Sequence, residues 1–174
     1  MSTLIVRDET PADHAGVRRV NEAAFSGRQE ADIVEALRSQ EAAAMSLVAE
    51  DGGEIVGHIM FSPVALQGHV GPPLGLGLAP MAVVPSRQRQ GIGSRLVWAG
   101  LDRCRALGAR FVVVLGHAAY YPRFGFVPAS RFGLRCEWDA PDEAFMALEL
   151  ADGALRGPAG RVVRYHPAFG AAGD

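Results

Sequence analysis

The segment with the most chemical content is Pro85-Ser86-Arg87-Gln88-Arg89-Gln90-Gly91-Ile92-Gly93-Ser94, which joins a long apolar run to an amphipathic one. Glycines let the backbone turn so that successive N–H groups converge, and a helix starting there adds the positive end of its dipole. Together they can cradle a pyrophosphate. Arg87 and Arg89 bring charge to the same place. The same glycines also suit a turn whose only task is tight strand-to-helix packing. A dinucleotide fold is disfavoured, because the run from Gly91 through Gly93 to Leu96 lacks the third glycine of that fingerprint.

Several other chemistries are excluded by composition. All 17 basic residues are arginine, so no lysine is available for a Schiff base or for the GK[ST] of a P-loop. Set against 19 acidic residues they leave a net charge of -2, and nucleic acid is not an expected partner. Two cysteines, Cys104 and Cys136, cannot build a disulfide framework or a four-thiolate zinc site. His14, His58, His69, His117 and His166 are scattered, with no pair at ligand spacing, so no metal is expected. The first residues lack a basic stretch followed by an apolar one, and no apolar run approaches the ~20 residues that span a bilayer. A soluble, cytoplasmic protein with no membrane partner is the expectation.

At 174 residues the chain is read as one domain over 1–170, followed by a frayed tail at 171–174. Thr10-Pro11-Ala12-Asp13 is a helix start, with a hydroxyl cap, proline in the first turn and a carboxylate three residues after the cap. Val17, Val20 and Ala24 continue it, and a second helix is expected over 29–39, burying Ile33, Val34 and Leu37. Residues 45–50 and 54–61 flank Asp51-Gly52-Gly53 and read as a hairpin. Residues 74–84 read as a central strand, 93–107 as the strongest helix and 111–115 as another buried strand. This strand-helix-strand order predicts two parallel strands with a right-handed crossover. A short helix near 119–123 and strands near 134–138, 145–150 and 162–165 would complete an antiparallel second half. The fold class is α/β, a mixed central sheet flanked by helices.

Gln88-Arg89-Gln90-Gly91-Ile92-Gly93 matches in full the [QR]-x-x-G-x-[GA] signature that opens a helix after the fourth strand in the Gcn5-related N-acetyltransferases. Tyr120-Tyr121-Pro122-Arg123-Phe124-Gly125-Phe126 resembles that family's Leu-Tyr-x-x-x-Gly-Phe segment, and GHAAYYPRFGF, EAFMALEL and GRVVRYHPAF resemble its YhbS-like branch. The resemblance implies the acyl-CoA N-acyltransferase fold and acetyl-CoA as acyl donor, with no metal. It places Met81, Ala82 and Val83 beside the pantetheine arm, Gln88 through Ser94 around the pyrophosphate, and Tyr121 and Phe124 near the thioester. Two departures stand out. Leu115-Gly116-His117-Ala118 lacks the asparagine often found after the fifth strand, and residues 74–84 hold no acid where many members carry a glutamate base.

Acetyl transfer to an alkylamine needs three things: a proton removed from a group whose pKa lies near 10, a donor for the oxyanion, and a proton for the departing thiolate. A backbone N–H freed by a bulge near Ala82 suits the second need. Tyr121 matches the family's tyrosine acid for the third, although both tyrosines could instead pack the short helix. Glu30, Glu22, His58 and His117 are candidate bases, with Glu30 first and His117 next. Glu30 otherwise favours a helix N-terminus, and His58, between apolar neighbours, suits a structural hydrogen bond. Cys104 shares a helix stripe with Val97 and Leu101, which points to burial, and Cys136 alternates with Leu134 and Trp138 on a face that is either core or acceptor pocket. The resulting reading is direct transfer to a small-molecule or protein amine in a ternary complex. Its rival is a catalytically silent acetyl-CoA-binding or sensing module. A homodimer is compatible with either.

Overall fold

The computed structural model describes residues 3–171. In chain order the elements are β1 (Leu4–Asp8), α1 (His14–Phe25), α2 (Gln29–Ser39), β2 (Met45–Asp51), β3 (Glu54–Leu66), β4 (Gly75–Val83), α3 (Ile92–Ala106), β5 (Phe111–Leu115), β6 (Val127–Pro128), β7 (Leu134–Cys136), β8 (Phe145–Glu149), β9 (Arg161–Arg164) and α4 (Pro167–Ala171). The sheet runs β1-β2-β3-β4-β5-β8-β6, and β9 joins the far end of β3 to β7. β4 and β5 are parallel, joined through α3. Ala171, the first residue of the expected tail, closes α4, and residues 172–174 lie outside the described residues.

Alternation along the strands sorts side chains to the two faces. Leu47, Ala49, Ile59 and Phe61 meet Leu96, Val97, Leu101 and Cys104 of α3, whereas Val48 and Met60 meet Val17, Val20, Val34 and Leu37 of α1 and α2. A third cluster, with Val64, Phe111, Val113 and Val163, fills the space under β7 and β9. The cap of the first helix also anchors the first strand. A single 3₁₀ turn at Pro11–Asp13 precedes α1, and Asp13 accepts the Thr10 backbone N–H at 2.8 Å and the Arg7 guanidinium at 2.7 Å.

Three features differ from the sequence expectation. A strand, β1, precedes the helices and pairs antiparallel with β2; its five residues are partly exposed on both faces and carry no clean alternation. The helix expected at 119–123 is a 3₁₀ turn over Tyr121–Phe124, where Pro122 supplies no N–H to continue a helix. β7 pairs parallel with β9 rather than antiparallel. The chain between Cys136 and Arg161 passes through β8, long enough for the crossover that a parallel pair requires.

The feature that shapes the functional face is a register shift in β4. Ile59 pairs with Met81 and Phe61 with Leu78, so Ala79 and Pro80 together oppose Met60. β4 pairs with β5 only at Gly75–Gly77, opposite Phe111–Val113. Beyond Gly77 the two parallel strands separate and leave a wedge open through the sheet.

α3 reaches the sheet through Gly100, where a Cβ would stand 2.5 Å from the buried Phe61 ring. Alanine would raise helix propensity by ~1 kcal/mol, but overpacking of this kind costs about 1–3 kcal/mol. Gly100→Ala is therefore expected to lower the urea midpoint, and an unchanged or higher midpoint would show that Phe61 yields freely.

Candidate active site

The wedge opens into a cleft of about 990 Å³. One side is the loop before α3. Arg89 and Gly91 both take positive φ, 63° and 84°, with Gly91 directly before the first helical residue. The glycine suits this conformation and leaves its Cβ direction open, with no atom within 4 Å. Gln88 fixes the loop to the strand end, its amide donating to the Val83 carbonyl at 3.0 Å. Met81, Ala82, Val83, Gln88, Arg89, Gly91, Ile92, Gly93 and Ser94 all border the cleft. Gln90 and Phe124 do not. The Gln90 side chain turns back to Arg87 and Ser86, and Phe124 is buried against Trp98 and Tyr120.

The two arginines of the loop are not equivalent. Arg87 also borders the cleft, but its guanidinium is held by Asp51 at 2.7 Å and by Gln90 at 3.1 Å. Arg89 makes no ion pair among the described residues and is the loop's uncommitted charge. Tyr120 and Tyr121 border the same cleft. The Tyr120 hydroxyl lies 3.2 Å from Ser94 Oγ, and Arg123 sits over its ring at 4.4 Å. Tyr121 is 6% exposed, edge-on to Tyr120 and to Phe126. Burial, reinforced by Tyr120, holds its phenol well above the ordinary tyrosine range, so it carries its proton at neutral pH.

Of the base candidates, Glu30 and His117 border the cleft, whereas Glu22 and His58 do not. Glu22 pairs with Arg18 on the helix surface. His58 is fully buried: its Nδ1 is 3.1 Å from the Asn21 amide nitrogen and its Nε2 is 2.8 Å from Ser46 Oγ. The amide donates to Nδ1, which leaves Nε2 to donate to the serine, and this neutral imidazole pins α1 to the sheet. Cys104 is buried in the core with its thiol pushed up to about 12 by burial, and burial also raises the half-buried Cys136. Neither is a thiolate at neutral pH. Among the described residues no group of three or more His, Cys, Asp or Glu is placed to hold a metal, and no helix is long and apolar enough to cross a membrane.

Residues 14–126 match the model of the acetyltransferase (GNAT) family. The chain belongs to this family. It is 38% identical to the uncharacterized N-acetyltransferase YhbS of Escherichia coli strain K12 over 167 residues, 95% of this chain and 98% of that protein. The uncharacterized N-acetyltransferase YjhQ of the same strain is 42% identical over 135 residues, 76% of this chain and 75% of that one. The crystal structure of Escherichia coli YhbS in complex with CoA superposes with a TM-score of 0.91, covering 98% of this chain and 93% of that one at 38% identity. A GNAT acetyltransferase from Brucella melitensis in complex with acetyl-CoA gives 0.79 at 39% identity, covering 96% and 98%.

The acetyltransferase thus has no acid on β4, and the carboxylate bordering its cleft is Glu30 on α2. Sequence reasoning did not find the aromatic lining of the cleft, to which Phe25, Trp138, Tyr165 and Phe169 contribute beside Ile33. Only the alternation of Leu134, Cys136 and Trp138 hinted at it.

Burial lowers the His58 pKa to about 3, with Arg38 as the second cause. Below about pH 6.5 the unfolded chain takes up a proton that the folded imidazole refuses, so stability falls as pH drops from about 6.5 toward 3. Urea unfolding at pH 6 and pH 4 is expected to show a loss of about 1 kcal/mol per pH unit from this group. His58→Gln should remove that slope, and an unaltered slope would assign the acid sensitivity elsewhere.

Proposed function

We propose that this protein transfers the acetyl group of acetyl-CoA directly to a primary amine while both are bound. The observation that carries the reading is the wedge between β4 and β5, which opens on one side to the α3 cradle and on the other to a cavity holding a carboxylate. It is supported by the relatives with CoA and acetyl-CoA bound, which share this fold over most of their length. Pyrophosphate meets the amides of Gln88 through Ser94 and the charge of Arg89. The pantetheine arm runs along Met81, Ala82 and Val83 toward Tyr121, with Phe124 backing the tyrosines.

The chemistry then needs no enzyme nucleophile. Glu30, or His117 across the cleft, takes a proton from the ammonium, directly or through water. The amine nitrogen attacks the thioester carbonyl, and the oxyanion takes a hydrogen bond from backbone N–H near Ala82, beside the Ala79–Pro80 irregularity. Collapse breaks the C–S bond and forms the amide, whose nitrogen gives its second proton to water; Tyr121 gives its proton to the departing thiolate and regains one from solvent. Burial keeps Tyr121 protonated at neutral pH, so its proton is in place when the thiolate forms.

Two measurements test the reading. Gly91→Val forces a β-branched side chain into positive φ, and calorimetry on the folded variant is expected to show acetyl-CoA affinity reduced at least about tenfold. Unchanged affinity would misplace the cradle. Free thiol released from acetyl-CoA with a panel of primary amines measures transfer. There Tyr121→Phe is expected to lower turnover about 100-fold with little change in cofactor affinity. A full-rate variant would reduce Tyr121 to packing, and a wild-type protein that binds acetyl-CoA yet releases no thiol with any amine would be a silent binding module.

A further inference from the structure

The far wall of the cleft has a composition unlike the cofactor side. Trp138 stacks on Tyr165 with ring centroids 5.2 Å apart and planes 28° apart, and Phe169 meets the same tyrosine edge-on at 5.4 Å. All three border the cleft, as do Phe25, Ile33 and one carboxylate, Glu30, which makes no ion pair among the described residues. Flat apolar walls select a flat apolar body, and a lone carboxylate favours a cationic end.

Tyr165 is the unusual member of this wall. It is 7% exposed, yet its hydroxyl has no hydrogen-bond partner among the described residues. The position is built for the ring. Tyr165 lies over Gly77, where a Cβ would come within 2.7 Å of it, and Gly77 is the last β4 residue paired with β5 before the wedge opens. Phenylalanine would fill the same space without stranding a buried hydroxyl, which is costly to leave unpaired. A hydroxyl retained without a partner on a residue that borders the cleft calls for a partner that arrives with the substrate.

We propose that the acceptor is a small primary amine on an aromatic body, its ring held against Trp138 and Phe169 and its nitrogen donating a hydrogen bond to the Tyr165 hydroxyl. This rests on the acetyl-transfer reading above. The hydrogen bond leaves the nitrogen lone pair free for the thioester, and Glu30 draws the ammonium form into the cleft. An aliphatic amine of similar size finds the same hydroxyl and carboxylate but little to stack on.

Trp98, the other of the two tryptophans, lies outside the cleft, so Trp98→Phe leaves Trp138 as the sole tryptophan reporter. Phenethylamine and 2-cyclohexylethylamine, which carry the same primary ammonium on rings of the same carbon number, are titrated into this protein saturated with CoA. Phenethylamine is expected to change Trp138 emission saturably, at a concentration about 3- to 10-fold below the response to 2-cyclohexylethylamine. Adding Tyr165→Phe is expected to weaken phenethylamine about 3- to 10-fold, leave CoA affinity unchanged, and leave Tm unchanged or raised. A Tyr165 hydroxyl with a merely structural role would instead lower Tm and leave amine affinity alone, which would overturn its assignment. No saturable response to phenethylamine, or equal responses to the two amines, would overturn the aromatic subsite. Amine binding that persists without thiol release from acetyl-CoA would refute the transfer reading and leave the subsite standing.

Discussion

The separation of two parallel strands is the constraint on which the rest of this molecule depends. Parallel strands buried on both faces ordinarily hydrogen-bond along their whole length, because unpaired backbone groups in an interior are expensive. Here β4 keeps its full partnership with β3, takes up two residues against one at Ala79–Pro80, and abandons β5 after three pairs. The strand ends that lose each other become the walls of a cleft, where ligand groups can take up the hydrogen bonds that the ladder gives up. A fully paired sheet would be more stable locally and would leave no cleft between these strands.

The wedge also orders the charges around it. α3 begins at the mouth of the gap, so its unsatisfied N–H groups and dipole face the cleft, and Gln88 holds the approaching loop by capturing the last carbonyl of β4. Positive charge is limited there, since Arg87 is largely spent on Asp51 and Arg89 carries the free guanidinium. Across the gap the environment turns apolar, and burial keeps phenols protonated. The Tyr121 phenol, kept protonated by burial, and the Glu30 carboxylate border this one cavity.

Anchoring is done away from the chemistry. His58 is the residue most easily mistaken for a base, and its imidazole is consumed by Asn21 on one nitrogen and Ser46 on the other. That buried trio ties α1 to β2 and β3, so the helix pair that carries Glu30 and Phe25 is held against the sheet by a neutral, fully used histidine. Arg7 and Asp13 perform the corresponding task at the surface, joining β1 to the start of α1.

Local chemistry is what the sequence determined by itself. The bounds of α2 and β5, the hairpin around Gly52, the crossover through α3 and the glycine loop before it follow from periodicity, turn residues and helix signals that act over a few neighbours. The position of Gln88 to Ser94 between β4 and α3 was legible for the same reason, since they form one continuous segment. Tertiary structure decided whatever joins distant segments. Leu4–Asp8 becomes a strand because β2 offers an edge, and β7 lies parallel to β9 because the chain between them has length to cross. That Arg87 is neutralised by Asp51 and His58 occupied by Asn21 and Ser46 depends on packing across the sheet. The aromatic wall of Trp138, Tyr165 and Phe169 was the least legible. Its members lie tens of residues from the wedge they line, and only the folded sheet, with Gly77 leaving space for the Tyr165 ring, brings them there.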